Sequence, residues 1–116
     1  MNLRTFLSAA LLLPMSTVAV AQYKGPNAVR SVTAADSASK AADNTPVVLE
    51  GTLVRHIGND IYEFRDDSGT VRVEIDPEDF PLGTPIEATT KVRLIGEVEK
   101  DWGAVEIDVE QVEVLN

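Results

Sequence analysis

The side chains that could hold a ligand in this sequence are a few cations and one tryptophan. Acidic residues outnumber basic ones by 19 to 10, so the cations single out particular positions better than the acids do. A tryptophan in a turn can stack on a sugar ring or pack against a peptide, with a neighbouring lysine as a donor. The predicted ligand-binding residues are Arg55, Arg65, Arg72, Lys100 and Trp102. Alternatively, Trp102 covers one end of the domain, because tryptophan is usually largely buried in small proteins.

Acidic runs offer a second kind of site. Carboxylate oxygens are the ligands that hard cations take, and Asp76, Glu78 and Asp79 lie close together in the sequence. A proline interrupts this run, and the sequence does not match the EF-hand loop. These three residues are therefore weak metal candidates. The alternative is a solvated loop whose charge keeps the protein soluble.

Composition excludes most enzyme and cofactor chemistry. The 116 residues contain no cysteine, which excludes thiol catalysis, iron–sulfur clusters and cysteine-ligated zinc, and they contain a single histidine, His56. No pattern indicates a carboxylate pair in a cleft, so we predict no enzymatic activity and no cofactor. The formal net charge of −9 argues against nucleic acid as a partner, because binding it needs a basic surface.

The first 21 residues have the pattern of a cleaved secretory signal peptide. Arg4 supplies an early positive charge, residues 6–13 are apolar, and Ala19 and Ala21 form a small-residue cleavage motif. A membrane span needs about 20 apolar residues, and this stretch is interrupted at Pro14. We therefore predict an exported protein that is cleaved after Ala21 and has no membrane anchor after cleavage.

The segment that follows the predicted signal indicates a short helix. Residues 22–30 are an extended lead-in, whereas residues 31–44 are rich in alanine, which favours helix. Val32, Ala35 and Ala38 recur near one face of such a helix, and Pro46 ends it. The alternative is a flexible linker, because the apolar face is thin.

From residue 46 onward the apolar residues recur with the period of two that is typical of strands. Five strands are predicted, over residues 47–54, 61–65, 71–76, 91–98 and 105–110. Gly69 favours a tight turn between the second and third strands, and Gly51 allows a bulge or bend in the first. The predicted loops between strands one and two and between strands four and five cover residues 55–60 and 99–103.

This arrangement predicts a mainly β fold, a five-stranded Greek-key OB-fold barrel preceded by a short N-terminal helix. An SH3-like barrel is the structural alternative. The predicted segments are a signal peptide (1–21), a lead-in with the short helix (22–45) and the OB-fold domain (46–116). In OB-folds, ligands usually lie on the face of strands two and three, between the loops named above. The five predicted ligand-binding residues converge there.

Several segments also resemble a known family. They are Val47-Val48-Leu49-Glu50-Gly51, Asp60-Ile61-Tyr62-Glu63-Phe64-Arg65-Asp66, Val73-Glu74-Ile75-Asp76 and Gly96-Glu97-Val98-Glu99-Lys100-Asp101-Trp102. In this order they resemble the bacterial OB-fold (BOF) family, the YgiW/YdeI type of periplasmic stress-tolerance proteins. The resemblance implies a periplasmic OB-fold protein without established enzymatic activity, linked to tolerance of oxidants, toxic metals, acid or cationic peptides.

Together, the residues and the resemblance predict a periplasmic, non-enzymatic OB-fold protein that acts in envelope stress tolerance. Its expected partner is a small molecule, a cell-wall fragment or a protein of the periplasm, and not nucleic acid. The alternative is an acidic periplasmic protein that binds divalent cations directly.

Overall fold

The computed structural model describes residues 30–101 and 103–115. One short helix precedes five strands, with one 3-10 turn between the third and fourth. In chain order the elements are α1 (Ala35–Lys40), β1 (Pro46–Gly58), β2 (Ile61–Asp66), β3 (Gly69–Ile75), the 3-10 turn (Pro77–Asp79), β4 (Val92–Asp101) and β5 (Ala104–Val114). The predicted signal peptide and Trp102 lie outside the described residues.

The five strands close into a barrel in the order β1-β2-β3-β5-β4. Neighbouring strands are antiparallel except β3 and β5, which run parallel. β1 belongs to two ladders, because its first six residues pair with β4 and its later residues pair with β2. The predicted five-stranded barrel with a short helix before it is confirmed.

Gly51 lies where β1 passes from one ladder to the other. A Cβ at this position would lie 2.7 Å from the ring of Phe64 and would overlap the carbonyl oxygen of Arg65. The missing side chain therefore lets β1 and β2 approach each other closely. The bulge predicted at Gly51 is displaced, since the register of β1 against β2 shifts between Leu53 and Arg55 and again between His56 and Gly58.

The core consists of apolar side chains from alternate positions of all five strands, as the period of two predicts. Phe64 and Leu49 are fully buried, and the remaining large buried side chains are Ile75, Leu94, Ile107, Val47, Val73, Val92 and Val98. Among the described residues no polar or charged side chain is buried. Charged groups therefore lie on the outside of the barrel, where a ligand could reach them.

The helix α1 packs against the start of β3 and is shorter than predicted. Ala35 and Ala38 are fully buried, and Val32 makes a bridge to Val47 of β1. The interpretation of this segment as a flexible linker is therefore wrong. The helix begins without a side-chain cap from Ala34; its first amides bind the β2–β3 turn instead.

That turn supplies the cap through two side chains distant in sequence. The amide of Ala35 donates to Oδ2 of Asp66 at 2.9 Å, and the amide of Asp36 donates to Oγ of Ser68 at 2.9 Å. Amides in the first turn of a helix have no partner within the helix, so such acceptors stabilise its start. The turn thereby fixes α1 to the barrel.

The connection between β3 and β4 packs beside another part of the core. Phe80 and Ile86 pack against it together with the half-buried Tyr62. This proline-rich segment contains a single 3-10 turn, Pro77–Asp79. No helix in the described residues has the length and apolar character needed to cross a membrane.

Two predicted loops are much shorter in the structure. β1 continues to Gly58, so Arg55 and His56 lie in a strand and the loop to β2 consists of residues 59 and 60. β4 likewise continues to Asp101, and β5 begins at Ala104. In β1 the register shifts after Leu53 and after His56 interrupt the apolar alternation, so the end of this paired strand reads as a loop. Residues 99–101 of β4 are all exposed and carry no apolar alternation.

Candidate functional site

A groove lies on the outer surface of the barrel, across β1, β2 and the beginnings of β3 and β5. We call it the outer groove, and the residues that define it are Arg55, Glu63, Thr70, Arg72, Ala104 and Val105. Its volume is about 440 Å³, within the range of small-molecule sites. Strand alternation places Glu63 and Arg72 outward, because their neighbours Phe64, Val71 and Val73 are buried.

The charges of the outer groove alternate from strand to strand. Arg55 of β1 pairs in register with Glu63 of β2, which pairs with Arg72 of β3. Nη2 of Arg55 lies 2.9 Å from Oε1 of Glu63, so this guanidinium already has a carboxylate partner. Arg72 has Glu106 as its register partner on β5. Within residues 30–101 and 103–115, however, no carboxylate oxygen lies within 4.0 Å of the Arg72 guanidinium.

The other predicted ligand-binding residues are placed differently. Arg65 is exposed on the same face as Glu63 but pairs with threonines, Thr52 and Thr70, and does not line the groove. Lys100 has the phase of the buried Val98, so its side chain lies on the other side of the β4–β5 hairpin from Glu99. Trp102 lies outside the described residues. The structure therefore brings Arg55 and Arg72 together in the outer groove, whereas Lys100 lines a smaller cavity that shares Ala104 and Val105 with the groove.

Carboxylates crowd the same outer surface on the side of β4 and β5. Oxygens of Glu74, Glu99 and Glu106, from three different strands, lie within 4.8 Å of one another. Burial, followed by the negative charges of Asp108, Glu106 and Glu99, raises the pKa of Glu74. Burial and the charges of Asp108 and Glu106 likewise raise the pKa of Glu99. We call Glu74, Glu99 and Glu106 the carboxylate cluster.

One of the three metal candidates predicted from the sequence, Asp76, lies beside this cluster. Asp76 lies with Asp60 and Glu74 in a second group of oxygens within 4.8 Å, whereas Glu78 and Asp79 belong to neither group. The sequence placed Glu74 and Glu106 on solvent faces but did not show which strands would be neighbours. The parallel pairing of β3 with β5 is what brings their carboxylates together.

A second cleft, of about 420 Å³, lies beside the β3–β4 connection and has aromatic walls. The ring of His56 stacks on that of Tyr62 with centroids 4.5 Å apart, and Phe80 meets Tyr62 edge to face at 5.6 Å. Nε2 of His56 lies 2.6 Å from the carbonyl oxygen of Asn59 and so is the nitrogen that donates. These contacts hold the β1–β2 turn against the rest of the barrel.

Comparison with known proteins agrees with this architecture. A family model described as Bacterial OB fold (BOF) protein matches residues 13–114. The chain is 50% identical over 111 residues to the calcium-regulated OB-fold protein CarO of Pseudomonas aeruginosa, and the match covers 94% of this chain and 93% of that protein. It is 43% identical over 105 residues to protein YgiW of Escherichia coli, with 81% of this chain and 80% of that protein covered.

The solved structure of YgiW from E. coli superposes on this chain with a TM-score of 0.68. The sequences are 38% identical in that comparison, which covers 83% of this chain and all of the solved one. The barrel is therefore an OB-fold, and the SH3-like alternative is wrong.

Proposed function

Because this chain belongs to the bacterial OB-fold (BOF) family, we propose that it is an exported periplasmic protein that acts in envelope stress tolerance by binding a ligand, without enzymatic activity. The signal-peptide pattern of residues 1–21 supports export. The names of the relatives mention no enzymatic activity. The ligand is a small molecule, a cell-wall fragment or a protein partner.

The outer groove is the observation that carries this proposal. It occupies the face of β2 and β3, where OB-folds usually bind their ligands. Arg72 offers a guanidinium without a carboxylate partner in the described part of the chain. Such a group binds carboxylates and phosphates with two parallel hydrogen bonds, which favours an anionic ligand. The carboxylates beside the groove argue against nucleic acid, whose phosphates they would repel.

Binding at the outer groove is tested by NMR titration of the isotopically labelled protein. The first probe is peptide-free cell-wall glycan, whose muramic acid units carry carboxylates, and the second is a short peptide with a free carboxylate. We expect at least one probe to shift the amide signals of residues 70–72. The variant Arg72→Ala should weaken that binding about tenfold or more, since a hydrogen bond to a charged group contributes about 1.5–3 kcal/mol.

The matched control is Lys91→Ala, which removes the same charge from a position that does not line the groove. It should leave the affinity of either probe unchanged. Equal losses in the two variants would show that net charge, and not the groove, governs binding. Absence of groove shifts with both probes would overturn the proposed function.

A second candidate function is suggested by the carboxylate cluster together with the relative that is named calcium-regulated. Mutual repulsion among Glu74, Glu99 and Glu106 disfavours the folded state at neutral pH, and a divalent cation would relieve it. In this candidate function the protein binds Ca²⁺ on the surface of β3, β4 and β5. The cluster adjoins the outer groove, so the cation could also alter ligand binding there.

Calcium binding predicts a rise in melting temperature. Extracellular calcium modules have Kd values near 10⁻³ M, so about 10 mM CaCl₂ should stabilise the protein by about 1.4 kcal/mol, or roughly 6–11 °C. The variant Glu74→Gln should abolish this shift, and it should melt higher than the wild type without calcium because repulsion is reduced. The control Glu78→Gln should keep the full calcium shift, since Glu78 lies outside the cluster. A calcium shift that persists in Glu74→Gln would exclude the cluster as the site.

A further inference from the structure

The barrel is incompletely paired where β3 meets β5. Their parallel ladder joins Arg72 to Glu106 and ends with Ile75 opposite Val109. Yet β3 begins three residues before Arg72, and β5 begins two residues before Glu106. On the side that faces β5, the start of β3 has no strand partner among the described residues.

The beginnings of β3 and β5, which do not pair with each other, both line the outer groove. Thr70 and Val71 form one wall and Ala104 and Val105 the other. Ser39 of α1 also lines the groove. Thr70 and Ala104 are exposed, whereas Val71 is buried and Val105 is half-buried, so the groove is open to solvent at Thr70 and Ala104.

Unpaired main-chain groups of this kind are able to bind another strand. In an antiparallel ladder, alternate residues direct their N–H and C=O groups away from the partner strand. β3 pairs antiparallel with β2 from Gly69 to Glu74, so some main-chain groups of its first residues point toward β5, where no strand pairs with them in the described part of the chain. An extended peptide that adds to such an edge gains main-chain hydrogen bonds.

The charges of the outer groove indicate which peptide fits. Two arginines and one glutamate line it, and Arg55 is already bound to Glu63, which leaves the Arg72 guanidinium to bind an anionic group. A guanidinium and a carboxylate form two parallel hydrogen bonds. Arg72 lies directly after the unpaired residues of β3, so a peptide lying on that edge would bring one of its carboxylates to it.

We propose that the outer groove binds an extended peptide, which adds as a strand to the open edge of β3 and places a carboxylate against Arg72. This inference rests on the proposed function, because it names the ligand class of the same groove. The main chain of the peptide provides most of the contacts, and the carboxylate fixes its position. Segments that are extended and end in a free carboxylate fit best.

Four synthetic peptides separate the contribution of the main chain from that of the carboxylate. The parent is an acetylated hexapeptide of alternating valine and threonine with a free C-terminal carboxylate. The second carries a C-terminal amide, and the third and fourth are the parent with N-methyl groups on the odd or on the even residues. In NMR titrations we expect the parent to shift the amides of Thr70, Val71, Ala104 and Val105. It should also slow hydrogen exchange at whichever of Thr70 and Val71 directs its N–H away from β2.

The amide peptide should bind about tenfold more weakly than the parent, and Arg72→Ala should bind the parent and the amide peptide equally. Alternate N–H groups of an extended peptide point to opposite sides, so methyl groups on one set leave the donors on the other side intact. Both placements are therefore compared. At least one should reduce binding more than tenfold. If both N-methylated forms bind like the parent, strand addition is overturned while binding in the groove stands.

The glycan probe separates this inference from the function on which it rests. If peptide-free glycan shifts the groove signals and the parent peptide does not, the peptide inference is overturned and the proposed function is retained. If neither probe shifts the groove signals, the peptide inference and the proposed function are both overturned. The control Lys91→Ala, which leaves the groove intact, should bind the parent peptide like the wild type.

Discussion

Replacing Gly96 with alanine should lower the free energy of unfolding by about 3 kcal/mol, because the new methyl group meets atoms that cannot move aside. The register between β4 and β5 shifts here, with Gly96 opposite Val109 and Ile95 opposite Gln111. A Cβ on Gly96 would overlap the carbonyl oxygen of Asp108 and lie 2.9 Å from the Cα of Val109. These are main-chain atoms of a ladder that closes the barrel, so relief requires opening the pairing of β4 with β5.

Urea denaturation followed by circular dichroism measures this loss, with Gly83→Ala as the control. Gly83 has a φ of 74° but open space around its Cα. Alanine at position 83 has no steric conflict and carries only the cost of a positive φ, about 1 kcal/mol. If Gly96→Ala unfolds at the same urea concentration as Gly83→Ala, the close approach of β4 and β5 does not limit this position.

The strands were predictable because their signal is local. Apolar residues such as Val71 and Val73 alternate with charged ones wherever one face of a strand is buried, and the order of turns and long connections then favours an OB-fold. Bulges interrupt this alternation and hide where a strand ends. β1 continues past its predicted end to Gly58, and the register of β5 against β4 shifts after Val109. Strand pairing, which involves distant residues, decides these ends.

The candidate site was predictable only in part, for a related reason. Outward charges such as Arg72 and Glu74 can be read from the alternation, but their neighbours depend on which strands are adjacent. The parallel pairing of β3 with β5 places Glu106 beside them, from a segment more than thirty residues away. Lys100 was expected beside the arginines because it was assigned to a loop. It lies within β4, where it pairs with Val105 and lines a smaller cavity beside the outer groove.

The capping of α1 could not be read from the sequence at all, because the capping residues lie about thirty positions away. Asp66 accepts at Oδ2 from the amide of Ala35, and at Oδ1 from both the amide and the hydroxyl of Ser68 at 2.8 and 2.6 Å. Removing these acceptors leaves several donors of the helix and turn without partners. Ser39 of the same helix lines the outer groove, so loosening α1 should also alter the groove.

The variant Asp66→Ala should therefore lose about 3 kcal/mol of stability at pH 7, the cost of removing two or more hydrogen bonds to a charged group. Asp66→Asn should lose about half of that, because one acceptor oxygen remains. The matched control is Asp67→Asn, in the same turn, which should change the melting temperature little. Equal melting of all three variants would show that the turn does not hold the helix.

The stability that Asp66→Ala loses relative to the wild type should also depend on pH. Burial raises the pKa of Asp66, but hydrogen bonds from Ser68, Ala35 and Gly69 outweigh it and hold the pKa below its ordinary value of 3.8. A carboxylate with a lowered pKa contributes stability above the pKa of the unfolded chain and loses it as pH falls through the folded value. The difference in stability between the wild type and Asp66→Ala should therefore be constant from pH 7 to about pH 5 and shrink below pH 4.

The raised pKa values of Glu74 and Glu99 act in the opposite direction. Their repulsion is fully present above the folded pKa and is relieved as pH falls toward the ordinary value of 4.5, so the wild type should gain stability as pH falls from 7 toward 4.5. Asp66→Ala keeps this gain because the cluster is intact, whereas only the wild type should then lose the Asp66 contribution below pH 4. A difference between the two proteins that stays constant down to pH 2 would show that Asp66 holds α1 as a neutral group, without the charge that its hydrogen bonds favour.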